Sequence, residues 1–278
     1  MKSYRAWTAF ALALAGAFAI VPCAVRAQTP DQRTLLSAFC DPANIQGSTC
    51  KKANNYPGGR ACDVKLGEER YSGKFLAAGS TLLVISYESG CEAHATDFGG
   101  SVVFEQTGGA TTFKGYQPGY QANECITIAR SETRDRLLCL TGHMGQGHLE
   151  SGLAEIVFSQ DFSKDIKLSF DFFVTAEDAS GAYGSNTVSC KKRSQYFSLS
   201  KLGAGPRPDT VAVTIDYADS DTIKTACRRG FPRPKEVFGK LTPGEAYVPD
   251  GYEKQGRFVV DLVTRKVMSD AETGKAAR

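Results

Sequence analysis

The chain has 278 residues, with 33 lysines and arginines against 30 aspartates and glutamates, a formal charge of +3. So small an excess excludes a nucleic-acid binder driven by bulk charge. The 23% charged and 42% hydrophobic content excludes wholesale disorder. Nine cysteines are many for one chain, and their odd number needs explaining.

The first 27 residues explain it. Lys2 and Arg5 precede an uncharged run rich in Ala and Leu, Ala6 to Val21, and the small residues Val25 and Ala27 mark a cleavage site before Gln28. This is the pattern of a secretory signal peptide over residues 1–27. The alternative, an uncleaved anchor, rests on the 20 uncharged residues Ala6 to Val25. Removing the segment takes away Lys2, Arg5, Arg26, the single tryptophan Trp7, and Cys23. What remains is net neutral, with 30 basic and 30 acidic residues, and holds eight cysteines: Cys40, Cys50, Cys62, Cys91, Cys125, Cys139, Cys190 and Cys227. An exported chain with an even cysteine count reads as disulfide-bonded. No later segment is a long uncharged apolar run. A periplasmic or secreted protein with no transmembrane span after signal cleavage is therefore expected.

Along the chain, Thr29-Pro30-Asp31 signals a helix start, and Leu35, Leu36 and Phe39 follow at helical spacing. Residues 40–62 form a loop with a turn at Tyr56-Pro57-Gly58-Gly59. Strands are expected over Thr81–Tyr87, Ser101–Gln106 and Leu153–Gln160. Strict alternation marks three more, carried by Ile166, Leu168, Phe170 and Phe172, by Val211, Val213, Ile215 and Tyr217, and by Phe258, Val260 and Leu262. Cys125-Ile-Thr-Ile and Leu137–Leu140 flank the polar turn Ser131–Arg134, so a hairpin would set Cys125 opposite Cys139. Cys190 and Cys227, the last two, pair with each other. Cys40, Cys50, Cys62 and Cys91 then pair in one of three ways. The expected fold is all-β, of antiparallel sheets, with one short N-terminal helix, stapled by disulfides and arranged either as propeller-like repeats or as a β-sandwich. The organisation is a signal peptide at 1–27, a helix and cysteine-rich loop segment at 28–79, a β domain at 80–268 and a flexible tail at 269–278.

A repeat of about 54 residues is visible. Leu82-Leu83 recurs as Leu137-Leu138, His94 as His148, and Val103-Phe104-x-Gln106 as Val157-Phe158-x-Gln160. The order of strand, Gly-rich loop with His, and further strands resembles a blade of the secreted FG-GAP-like β-propellers, over residues 80–175 only. That resemblance implies a propeller. It implies no calcium site, because the family's DxDxDG loop is missing from both copies. The alternative is two similar hairpin units of one sandwich.

Two of the three histidines lie in Gly142-His143-Met144-Gly145-Gln146-Gly147-His148. Imidazoles presented by a glycine-rich loop suit a transition metal, which makes His143 and His148 candidate ligands with Glu150 beside them. The competing account is two structural loop histidines. Asp216, Asp219 and Asp221 suit a hard cation or, alternatively, a solvated strand end. There is no GxSxG, HExxH, P-loop or GxGxxG. Glu105, Glu132, Glu155, Asp171 and Asp178 are all eligible for acid–base work, so none is singled out. Tyr56, Tyr116, Tyr120 and Tyr183 read as loop residues, suited to a binding surface or to packing loops onto a sheet.

The sharpest surface feature is basic. Lys191, Lys192 and Arg193 follow Cys190, while Arg228, Arg229, Arg233 and Lys235 follow Cys227. A Cys190–Cys227 disulfide would bring these seven together on a neutral protein, where arginine forks suit phosphate or carboxylate. The expected function is an exported, non-catalytic binding module for an anionic envelope component or a protein partner, with no nucleic acid and no cofactor. The alternatives are an extracytoplasmic hydrolase acting on an envelope polymer, and a metal-binding protein using His143 and His148.

Overall fold

Leu82, Leu83, Val84 and Ile85 are consecutive, and all four are buried. A strand with apolar side chains at both parities needs apolar contact on both faces. The computed structural model supplies it by stacking sheets. It describes residues 30–59, 61–76, 80–91, 99–160, 165–229, 241–248 and 251–269. The signal-peptide segment, His94, Arg233, Lys235 and all but the first residue of the tail lie outside these.

Sheet 1 runs in chain order: β1 (Ile45–Gln46), β2 (Thr49–Cys50), β3 (Val64–Gly73), β4 (Thr81–Ser89), β5 (Gly99–Thr107) and β6 (Ala110–Pro118). Sheet 2 comprises β7 (Cys125–Ser131), β8 (Arg134–Gly145), β9 (His148–Gln160) and β10 (Ile166–Asp178), also in order. A two-stranded ribbon pairs β11 (Asn186–Ser189) with β14 (Glu245–Val248). Sheet 3 has the order β12 (Gln195–Ala204), β13 (Thr210–Ala218), β15 (Lys254–Asp261), β16 (Val267–Ser269). Every pairing is antiparallel. Among the described residues no sheet closes into a barrel.

Three apolar layers hold the stack together. Leu83, Ile85, Tyr87 and Phe104 on one face of sheet 1 meet Leu35, Leu36 and Phe39 from the N-terminal segment. Leu82, Val84 and Val103 on its other face meet Leu137, Ile156 and Phe158 of sheet 2. The far face of sheet 2, with Leu138, Leu153 and Val174, meets Val211, Val213, Phe258 and Val260 of sheet 3. These are open sheets packed face to face. The repeat anchors fall on corresponding strands, β4 and β5 in one sheet and β8 and β9 in the next, but their registers differ: Leu83 faces Phe104, whereas its counterpart Leu138 faces Glu155. Strand β3 lies before residue 80 and pairs with β4, so sheet 1 draws on both sides of that position.

Among the described residues there are three α-helices where one was expected. The first, α1 (Gln32–Ser37), is shorter than expected, and its cap is Asp31, whose carboxylate accepts from the Thr34 amide at 2.8 Å. The others are α2 (Ser180–Tyr183) and α3 (Ser220–Arg229). Helix α3 escaped notice because only Ile223 and Ala226 of its apolar residues are buried, too few to print a helical period. Four disulfides staple the chain: Cys40–Cys50, Cys62–Cys91, Cys125–Cys139 and Cys190–Cys227. The β7–β8 pairing sets Cys125 directly opposite Cys139. Among the described residues no helix is long and apolar enough to cross a membrane.

Candidate functional site

The Cys190–Cys227 disulfide joins the end of β11 to the last turn of α3. Asp219 starts α3, its carboxylate accepting from the Thr222 amide at 2.9 Å, and Ile223 and Ala226 seat the helix on the β11–β14 ribbon with Val188 and Val248. Arg228 and Arg229 occupy the last turn, where the helix dipole favours cations. At the other end of the disulfide, Cys190 donates to the Gly244 carbonyl (2.9 Å) and Lys192 to the Ser189 carbonyl (3.0 Å), a tight turn that leaves Lys191, Lys192 and Arg193 exposed. The Gln195 side chain locks that turn to β12, accepting from the Ser189 amide (3.1 Å) and donating to the Thr187 carbonyl (2.8 Å).

Between turn and helix lies a concavity of about 760 Å³. Its helix wall is Ser220, Ile223, Lys224, Cys227 and Arg228, one face of α3, and its other wall is Lys191, Lys192 and Arg193. Lys224 was missed from sequence; its place four residues before Arg228 on a helix is the signal that would have found it. Lys224 lies 3.5 Å from Asp221. Among the described residues, no carboxylate lies within 4 Å of Lys191, Lys192, Arg193, Arg228 or Arg229.

Lys192 also lines a second cavity of about 670 Å³, which reaches along sheet 2. There the register places His143, Glu150 and Glu177 side by side across β8, β9 and β10. His143 and His148 flank a two-residue turn, Gln146-Gly147, whose positive φ values of 51° and 83° suit a tight hairpin. His148 Nδ1 lies 2.7 Å from Glu177 and its ring packs edge-on to Tyr183. Among the described residues, no group of three or more His, Cys, Asp or Glu is placed to hold a metal ion. The three aspartates do not converge either. Asp216 accepts from Ser198 and Gln255, Asp219 caps α3 and meets Lys254, and Asp221 faces Lys224.

The carboxylates eligible for acid–base work are also dispersed. Glu105 pairs with Lys114, Asp171 with Arg265, and Glu155 is buried beside Arg136 (3.8 Å) and Arg130 (3.9 Å). Burial pushes the Glu155 carboxyl up, against the pull of both arginines. Asp178 accepts from the Ser180 amide. Those that share a cavity, Glu150 and Glu177, are both exposed. The tyrosines pack. Tyr56 is buried against Tyr87, and Tyr116 sits on β6, its phenol pushed up by burial and by Tyr56. Tyr120 covers Phe170 and Tyr183 covers His148.

No protein-family model, curated protein or solved structure matches this chain.

Proposed function

We propose that this protein is an exported, non-catalytic binding module that takes an anionic ligand in the concavity beside Cys190–Cys227. The observation that carries this reading is the local charge. Lys191, Lys192, Arg193 and Arg228 stand exposed around one concavity, with Arg229 next in the chain, and among the described residues none of these five has a carboxylate within 4 Å. In a chain that is net neutral after residue 27, such a cluster creates a local field that attracts anions. Four disulfides fit an oxidising, extracytoplasmic destination. Periplasm or exterior is the compartment this implies.

Binding of inorganic polyphosphate by the oxidised protein tests the reading. The triple charge reversal Lys191→Glu, Arg193→Glu, Arg228→Glu should weaken it by more than about tenfold at low salt, and the wild-type affinity should fall steeply as salt rises. Equal affinity in wild type and variant would remove the groove from consideration.

A hydrolase is the second reading, and what favours it is Glu150 beside Glu177 in one cavity. Its weakness is that Glu177 is already engaged by His148.

A further inference from the structure

The 670 Å³ cavity meets the basic concavity at Lys192, and its chemistry differs sharply from its neighbour's. Phe172 is 43% exposed there. Its ring lies across Gly152, where even a Cβ would come within 2.9 Å of it. The backbone beneath is a β-bulge between Phe172 and Val174, held from sheet 3: Arg265 donates to the Phe172 carbonyl (3.0 Å) and grips both oxygens of Asp171 (2.7 and 2.9 Å). Phe170 stands beside it at 5.7 Å. The result is a fixed aromatic face open to solvent. Around it, the side chains of His143, Glu150 and Thr175 have no hydrogen-bond partner among the described residues.

Aromatic carbon faces are negative and attract polarised C–H groups, while carboxylates and imidazoles accept hydrogen bonds from hydroxyls. A pyranose ring presents both, a C–H face and a hydroxyl rim. Charge then decides which sugar. Glu150 and Glu177 repel an anion, whereas the adjoining concavity requires one. A uniformly anionic polymer or a row of lipid phosphates therefore fits only the basic half.

We infer that the ligand is a heteropolysaccharide, an uncharged ring stacking on Phe172 and an adjacent acidic unit lying against Lys192 and the basic concavity. This rests on the proposed anion-binding role and deepens it.

The test compares three probes on the oxidised protein: hyaluronan oligosaccharides, in which neutral and acidic rings alternate; polygalacturonate of equal length, in which every ring is acidic; and inorganic polyphosphate. Wild type should bind hyaluronan about tenfold more tightly than polygalacturonate. Phe172→Ala and, independently, Glu150→Gln should erase that preference while leaving polyphosphate affinity within about twofold. Glu150→Gln alters an exposed side chain, so it decides the matter should Phe172→Ala fail to fold. Unchanged preference in the folded variants, or no preference in wild type, overturns the saccharide subsite and leaves the basic concavity standing. Failure of all three probes to bind overturns the anion-binding reading itself.

Discussion

Asp219 caps α3 through the Thr222 amide, and its carboxylate also meets Lys254 on β15. Burial pushes the carboxyl up, but Lys254 and the Thr222 amide and hydroxyl outweigh it and bring it down to about 2. A carboxyl lowered on folding stabilises the fold above its ordinary value of 3.8, and that contribution is lost as pH falls through about 2. Asp219→Ala should cost about 1 kcal/mol by urea unfolding at pH 7. It should also flatten the acid limb of stability between pH 4 and 2, and a limb as steep as wild type's would show that Asp219 is not the group titrating. In sequence, Asp216, Asp219 and Asp221 looked like one oxygen-rich loop. Their separation into three roles depends on Ser198, Gln255 and Lys254, residues up to 39 positions away.

At the scale of elements, the piece that builds the candidate site is α3 with its disulfide. Its charged C-terminal turn has no apolar anchor beyond Ile223 and Ala226, so Cys190–Cys227 holds it against the ribbon. A bridge spanning 37 residues stabilises by about 4 kcal/mol through loop closure. Cys190→Ala with Cys227→Ala should lose about 3–4 kcal/mol in chemical denaturation, and polyphosphate affinity should drop with it because the two basic walls separate. Retained affinity would show that the groove does not need the tether. That Lys191, Lys192, Arg193 and Arg228 meet beside the disulfide was legible from spacing once that pairing was assumed, while Arg233 and Lys235 lie outside the described residues. Lys224 was not, because a helix with so few apolar residues leaves no periodic trace. The β8–β9 hairpin behaves differently: Gly142-His143-Met144-Gly145-Gln146-Gly147-His148 read as a glycine-rich loop, and the sequence did not say which cross-strand neighbour each histidine would meet. Gly147 is demanded twice there, by its φ of 83° and by Ala182, whose backbone nitrogen would lie 2.7 Å from any Cβ.

At the scale of the whole molecule, the seam between sheets 2 and 3 carries charge as well as apolar packing. Glu155 is buried on the face of sheet 2 turned to sheet 3, with Arg136 equally buried beside it. Breaking a buried pair from one side costs about 3–5 kcal/mol, and with Arg130 still 3.9 Å from Glu155 the lower end of that range applies. Arg136→Met should show a loss of that order at neutral pH. The Glu155 carboxyl, already raised by burial, would rise further in the variant, and an acid raised on folding destabilises as pH climbs through its folded value. The deficit should therefore shrink as pH falls toward the ordinary glutamate value of 4.5. A deficit constant from pH 7 to 4.5 would place its origin in packing instead of charge.

Local chemistry is written in order along the chain, and it is what the sequence determined by itself. Period-two alternation marked the strands of β10, β13 and β15, and the polar turn between β7 and β8 set Cys125 opposite Cys139. The cysteine count implied a stapled, extracytoplasmic protein. Sheet stacking was decided only in three dimensions, because a strand buried on both faces, such as β4, has no alternation to read and does not name its partners. The cavity that joins Phe172, Glu150 and Lys192 was also invisible, since those residues sit on β10, β9 and the loop after β11, and only the packing of sheet 2 against sheet 3 brings them to one surface. Charge clustering could be inferred through one disulfide, whereas the cavity around Phe172, Glu150 and Glu177 could not be inferred through any covalent link.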